Sequence, residues 1–265
     1  MPLLELPSAH VNYEVVGDGP TLVLLHANPG DGRDFAGIVP VLSEQFQVVI
    51  LDWPGYGESP LPPHPERASV MFFYQVFCEF AEKLKLSPAI FIGNSVGGYV
   101  AARYAIEHPQ QVRALVLVSP GGFTPHNLVT RAFCKFMGSP LAIPPDYLAK
   151  LYLRGDNELT REMKMRAKYE QSTPGVKELS HAIWGSFTAP EHDLRQRAAD
   201  IAQPTLLVFG KHDPLIPARK DGKVAAGLIT QAEYHVMPTG HAPFAEMPQD
   251  FLDLLRHFLV KAVGA

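Results

Sequence analysis

Seven short runs of β-branched residues and leucine recur along the chain, each closed by turn residues: VNYEVV at 11–16, TLVLLH at 21–26, QVVILD at 47–52, AIFIGN at 89–94, ALVLVS at 114–119, TLLVFG at 205–210 and AEYHVM at 232–237. These runs are apolar on both faces, a pattern that only a sheet covered on both sides can bury. Helix-length segments separate most of them. Residues 66–86 place Val70, Phe73, Tyr74, Phe77, Phe80, Ala81 and Leu84 at helical spacing, and 96–108 and 244–262 follow the same rhythm. Strands alternating with helices predict an α/β protein with a mostly parallel, doubly wound sheet and right-handed crossovers.

One stretch breaks the alternation. From Gly121 to Gln203 there is no strand pattern, only helical fragments around Asn127 to Met137, Asp146 to Leu153, Thr160 to Gln171 and Val176 to Phe187, separated by Pro and Gly. So many residues exceed what a crossover needs. They are expected to form a helical cap subdomain, 121–203, over one end of an α/β core built from 1–120 and 204–265.

The composition excludes several classes of function. With 46% hydrophobic and 19% charged residues, the chain has ample material for a core. A net charge of -4 and a pI near 6.2, with no Lys/Arg cluster, argue against a nucleic-acid partner and for a small-molecule substrate. The N-terminal MPLLELPSAH lacks a basic region and a sustained apolar region, and no apolar run is long enough to span a bilayer; a cytoplasmic protein without a membrane partner is expected. Cys78 and Cys134 form no paired motif and are read as reduced core residues. With neither HExxH nor H-x-H-x-D, no metal and no cofactor are expected. The oligomeric state stays open, a homodimer included.

Gly93-Asn94-Ser95-Val96-Gly97 matches G-x-S-x-G, and its context gives the match weight: an apolar strand before it, an amphipathic helix after it. Such a turn lifts Ser95 from a strained strand-to-helix corner, where glycines avoid clashes and the helix N-terminus favours developing negative charge. A hydroxyl becomes a good nucleophile when a base takes its proton, so a histidine held by a carboxylate should follow, in the order Ser, acid, His. Asp213 lies just past the strand 205–210 and His241 just past the last strand; Asp213-Pro214 also reads as a plain helix cap. Asp221 is a weaker substitute for the acid, and the neighbouring His212 is read as structural. An oxyanion needs two backbone N–H donors, here Val96 and, because Pro29 has none, Asn28, with Ala27 as the second choice.

These residues together resemble the α/β-hydrolase superfamily over nearly the whole chain. His26 with Pro29-Gly30 is similar to its HG-x-P oxyanion loop, with Ala27 where that loop has glycine; DWPGYGESP at 52–60 is similar to its D-x-x-G-x-G-x-S element; GNSVGG, GKHDPLIP and GHAPFAEMP are similar to its nucleophile, acid and histidine motifs. The resemblance implies an α/β-hydrolase fold of about eight strands with an inserted helical cap. It also implies a serine hydrolase that cleaves a carboxylic ester or related small acyl compound through an acyl-enzyme. GNSVGG and LVSPGGF at 117–123 are also similar to meta-cleavage-product hydrolases, which implies carbon–carbon cleavage of a vinylogous diketo acid as the alternative, with Arg131, Arg154 and Arg166 as candidates to hold its carboxylate. Against it stand the shortened oxyanion loop and Ala242-Pro243 where those enzymes carry tryptophan. Haloalkane dehalogenases and epoxide hydrolases resemble the HANP region but use an aspartate nucleophile. A non-catalytic ligand-binding receptor on the same fold is the reading from another class. Phe123, Met137 and Trp184 are candidate pocket walls, to be weighed against ordinary core roles.

Overall fold

In a computed structural model of the chain, residues 3–170 and 172–264 are described. The seven apolar runs all become strands, and a largely exposed eighth that the sequence reading did not single out, Leu3–Glu5, precedes them: β1 Leu3–Glu5, β2 His10–Val16, β3 Thr21–Leu25, β4 Gln47–Leu51, β5 Ala89–Asn94, β6 Val112–Val118, β7 Thr205–Gly210 and β8 Glu233–Met237. They form one sheet in the order β1-β2-β4-β3-β5-β6-β7-β8. From β4 through β8 every neighbouring pair is parallel, with Leu25 opposite Gly93 and Asn94 opposite Val118. β1 and β2 are antiparallel additions. The run at 11–16 is therefore not a doubly covered parallel strand, and β8 at the other edge leaves His235 and Val236 exposed, because edge strands have less covering.

Alternate residues along the central strands feed two separate cores. Val23, Leu25, Phe91, Leu117 and Phe209 pack on one face with Phe73, Phe77 and Phe80, whereas Leu22, Leu24, Ile92, Val118 and Val208 pack on the other with Phe251, Leu255 and Phe258. The helices supplying these layers are α1 Val39–Leu42, α2 Val70–Lys83, α3 Val96–Glu107, α4 Leu128–Met137, α5 Pro145–Tyr152, α6 Glu158–Glu170, α7 Val176–Ser186, α8 Lys223–Leu228, α9 Pro243–Glu246 and α10 Pro248–Val263. α2 starts later than its periodicity suggests, because the Ser69 hydroxyl accepts the Phe72 N–H at 3.1 Å and caps it there. The pattern at 244–262 is two helices, divided where Pro248 opens α10. Between β6 and β7 the described residues contain no strand, only α4 to α7 and short turns; Gln171, the expected end of α6, lies outside the described residues. No described helix is long and apolar enough to cross a membrane.

The ends of parallel strands gather ligand sites at one sheet edge. Here the loops after β3, β5, β7 and β8 carry Asn28, Ser95, Asp213 and His241 in turn.

Candidate active site

Ser95 occupies the corner between β5 and α3 with φ 54° and ψ -112°, a conformation that strains any residue with a Cβ. The corner is tight. A Cβ on Gly93 would collide with the Gly97 carbonyl, and one on Gly97 with the Leu25 carbonyl, so the glycines allow strand and helix to approach. Ser95 is half-buried and lines a cavity, while Val96 at the start of α3 is buried. Asn94, which the sequence motif treats as a variable position, is buried and donates through Nδ2 to the Val118 carbonyl at 3.0 Å and the His241 carbonyl at 3.1 Å. It thereby ties the serine corner to the backbone of the histidine loop.

Asp213 and His241 meet. Nδ1 of His241 lies 2.6 Å from Oδ2 of Asp213, with both side chains buried, while Oδ1 of Asp213 accepts from the Leu215 and Ile216 amides at 2.8 and 3.2 Å. Asp213 caps no helix, because residues 214–216 form a bend and the next helical turn opens at Ala218; its Oδ1 closes a local turn instead, and its Oδ2 meets the histidine. With Nδ1–H donated to the carboxylate, Nε2 is left as the proton-accepting nitrogen. Among the described residues, no side chain or backbone group hydrogen-bonds the Ser95 hydroxyl, so the pair and the serine are neighbours through Asn94 rather than bonded to each other.

Glu246 fixes the histidine loop, a role that the sequence reading missed. Its Oε2 accepts from the amides of Gly240 at 2.9 Å, Arg154 at 3.0 Å and Gly155 at 2.9 Å, and its Oε1 from Ala242 at 3.3 Å. The Tyr152 carbonyl, at the end of α5, accepts the His241 N–H at 2.8 Å. One buried acid therefore clamps the loop that carries His241 to the α5–α6 connection. The available signal was a single carboxylate within the otherwise apolar stretch 242–247.

The loop after β3 is braced by the 52–60 element. His26 is fully buried; its Nε2 accepts the Trp53 N–H at 2.9 Å and its Nδ1 faces the Ala27 carbonyl at 2.7 Å. Burial holds this imidazole neutral by lowering its pKa. Asp52 accepts the Gly32 amide at 2.8 Å, and the Tyr56 hydroxyl donates to Oδ1 of Asn28. Among the described residues, no hydrogen bond consumes the backbone N–H of Asn28 or Val96. The Asn28 side chain, turned by Tyr56, leaves Nδ2 buried without a partner beside the same cavity.

That cavity has a volume of about 330 Å³, with Phe133, Trp184, Leu215 and Ile216 among its apolar walls and His192, Lys220 and Asp221 among its polar ones. Burial, reinforced by His126, pushes the pKa of His192 down to about 3, so it is a neutral ring there. A second cavity of about 210 Å³ runs from Pro29 past Met137 and shares Trp184 with the first. Trp184 and Met137 are therefore pocket walls, whereas Phe123 belongs to the core. Cys134 is buried but lines the larger cavity, and Cys78 is half-buried; both are free thiols. None of Arg131, Arg154 and Arg166 lines either of these two cavities. Arg166 is instead spent on Asp34, Asp31 at 3.3 Å and Glu162 at 2.6 Å, which ties α6 to the loop after β3. Asp221, read from sequence as a substitute acid, is buried in the cavity wall, and the carboxylate bonded to His241 is that of Asp213. His212 is exposed. No group of three or more His, Cys, Asp or Glu among the described residues could hold a metal ion.

The comparisons with known proteins agree with this architecture. The chain is 26% identical over 259 residues to a pimeloyl-[acyl-carrier protein] methyl ester esterase of Aeromonas hydrophila, covering 94% of this chain and 99% of that one. It is 25% identical over 262 residues to a 2-hydroxy-6-oxo-6-phenylhexa-2,4-dienoate hydrolase of Comamonas testosteroni, covering 94% of this chain and 91% of that one. A thermophilic esterase from Thermogutta terrifontis superposes with a TM-score of 0.81 at 20% identity, over 99% of both chains, a likeness of fold. A family profile for the alpha/beta hydrolase fold matches residues 20–157, just over half of the chain. The chain belongs to the α/β-hydrolase fold family and is an enzyme of that family.

Proposed function

We propose that this enzyme is a serine hydrolase of carboxylic esters or related small acyl compounds. The observation that carries the reading is the buried His241–Asp213 pair at 2.6 Å, held by Asn94 beside a strained serine that opens onto an apolar cavity. Ser95 Oγ attacks the ester carbonyl carbon as His241 Nε2 takes its proton, and the carbonyl π pair moves onto oxygen. The amides of Asn28 and Val96 hold that oxyanion. Its collapse expels the alcohol, which takes the proton from His241. Water then repeats the sequence on the acyl-enzyme, releases the acid and restores Ser95. Asp213 keeps the proton of the neutral imidazole on Nδ1 and stabilises the imidazolium.

Residues 121–203 act in this reading as a cap, whose α4 and α7 contribute Phe133 and Trp184 to the cavity. The names of the Aeromonas and Thermogutta proteins support an ester as the bond cleaved. The carbon–carbon alternative draws on the Comamonas relative, but none of the three candidate arginines lines either cavity described above, which favours the ester. Ser95→Ala should lower turnover of p-nitrophenyl acylates by roughly 10⁴-fold or more. A purified, folded variant that keeps a near-wild-type rate refutes the assignment.

A further inference from the structure

Two carboxylates follow β7, and they are treated differently by their surroundings. Asp213 has both oxygens occupied. Asp221 sits in the wide helical turn Ala218–Gly222, only 2% exposed, in the wall of the cavity that Ser95 also lines, and its Oδ1 has no hydrogen-bond partner among the described residues. The Thr124 hydroxyl is the side-chain donor that faces it, and the Lys220 ammonium shares the cavity wall without forming an ion pair with it. A carboxylate oxygen cut off from water and left unpaired is costly. At the wall of a substrate cavity, the missing donor can come from whatever fills the cavity.

The surroundings narrow what that donor can be. Lys220 already places a cation in the wall, so a second cation from the substrate meets repulsion. The same cavity wall carries apolar groups, Leu215 and Ile216 from the same loop and Phe133 from α4, which disfavour a bulky charged substituent. A neutral hydroxyl satisfies the acceptor without either cost. We propose that Asp221 is a specificity-determining residue which accepts a hydrogen bond from a hydroxyl group on the substrate, so that the preferred esters are hydroxy-substituted. This rests on the ester-hydrolase reading above.

The test compares matched pairs: methyl esters of short- and medium-chain acids with a hydroxyl at successive positions or with hydrogen there, and hydroxyalkyl against alkyl acetates, with release of the acid as the readout. The quantity of interest is the ratio of kcat/KM within each pair. At least one hydroxylated ester should exceed its plain partner by about tenfold in the wild type. In Asp221→Leu that ratio should fall to about one, and in Asp221→Asn, which keeps an acceptor oxygen, it should be intermediate. A ratio that persists in Asp221→Leu, or a wild type that hydrolyses plain esters with no hydroxyl preference, overturns the proposal and leaves the ester reading standing. Should Asp221→Leu fail to fold, an unchanged ratio in Asp221→Asn overturns it equally. Hydrolysis of no ester at all overturns the underlying reading, and the proposal with it.

Discussion

The sheet edge and the helical insertion use the same kinds of residue to opposite effect. α3, behind the serine, buries ten of its residues from Val96 to Ile106, whereas α4 buries only Cys134 and Met137 and leaves Leu128 85% and Val129 77% exposed. Catalysis by positioned groups requires the first kind of environment, since small displacements are expensive there. Substrate choice tolerates the second. Among the polar anchors that join the two regions are Glu246 on the histidine loop and Arg166 on the loop after β3, beside the Asn157 amide on the Ala245 carbonyl and the Tyr99 hydroxyl on the Glu191 carbonyl. Changes at the sheet edge should therefore destroy the chemistry, changes at the anchors should loosen it, and changes in the cavity wall should redirect it.

The largest effect is expected from Asp213→Asn. Loss of the carboxylate leaves His241 without its proper tautomer, and kcat should drop by roughly 10⁴-fold while the fold, read by circular dichroism, is kept. An Asn variant of full activity would show that Asp213 is not the orienting acid. Next comes Glu246→Ala, which strips four amides of one acceptor and releases the His241 loop from the α5–α6 connection. Activity should fall by about 10²-fold, mainly in kcat, with Glu246→Gln recovering part of it. A change confined to KM would mean that the anchor serves the insertion alone.

Arg166→Met tests a second anchor. It leaves Asp31 and Asp34 buried with less compensation, so stability should decline by about 3 kcal/mol in chemical denaturation, while kcat changes by less than tenfold. A large kcat loss without destabilisation would make Arg166 part of the chemistry and erase the contrast between the regions.

How much of this was legible in the sequence follows the same division. The strands 21–25, 47–51, 89–94, 112–118 and 205–210 were readable because two-sided burial leaves a continuous apolar run, and the tight Ser95 corner because glycines bracket it where strand and helix approach. Asp213 and His241 were readable from their position after strands. Asn94 and Glu246 were not, since each acts on amides or carbonyls distant in sequence that only the fold brings near. Arg166 was misjudged for the same reason: its partners, Asp31 and Asp34, lie 132 residues or more away and leave no periodic trace. Asp221 was ranked as a spare acid because sequence places it near Asp213 without revealing which side of the turn faces the cavity.

The smallest effect concerns pH. Burial pushes the Asp221 carboxyl up to about 6, with Asp213 adding to the shift and Lys220 and Thr124 opposing it; burial likewise pushes Asp34 up to about 7. Both folded values lie above that of an unfolded carboxyl, so the folded state holds extra protons from about pH 4 upward, and the stability present below that range is lost as pH rises through about 6 to 7. Asp221→Asn removes one of the two groups. Its Tm should fall by a few degrees less than that of the wild type between about pH 5 and about pH 8. Parallel curves would show that Asp221 titrates alike in folded and unfolded chains.

The most direct measurement is covalent labelling of the folded enzyme with a fluorophosphonate, followed by peptide mass spectrometry. An activated serine at the sheet edge should give a single adduct on Ser95, abolished in Ser95→Ala and strongly slowed in His241→Ala. A wild type that remains unlabelled, or an adduct on another residue that persists in an active Ser95→Ala variant, would contradict the account.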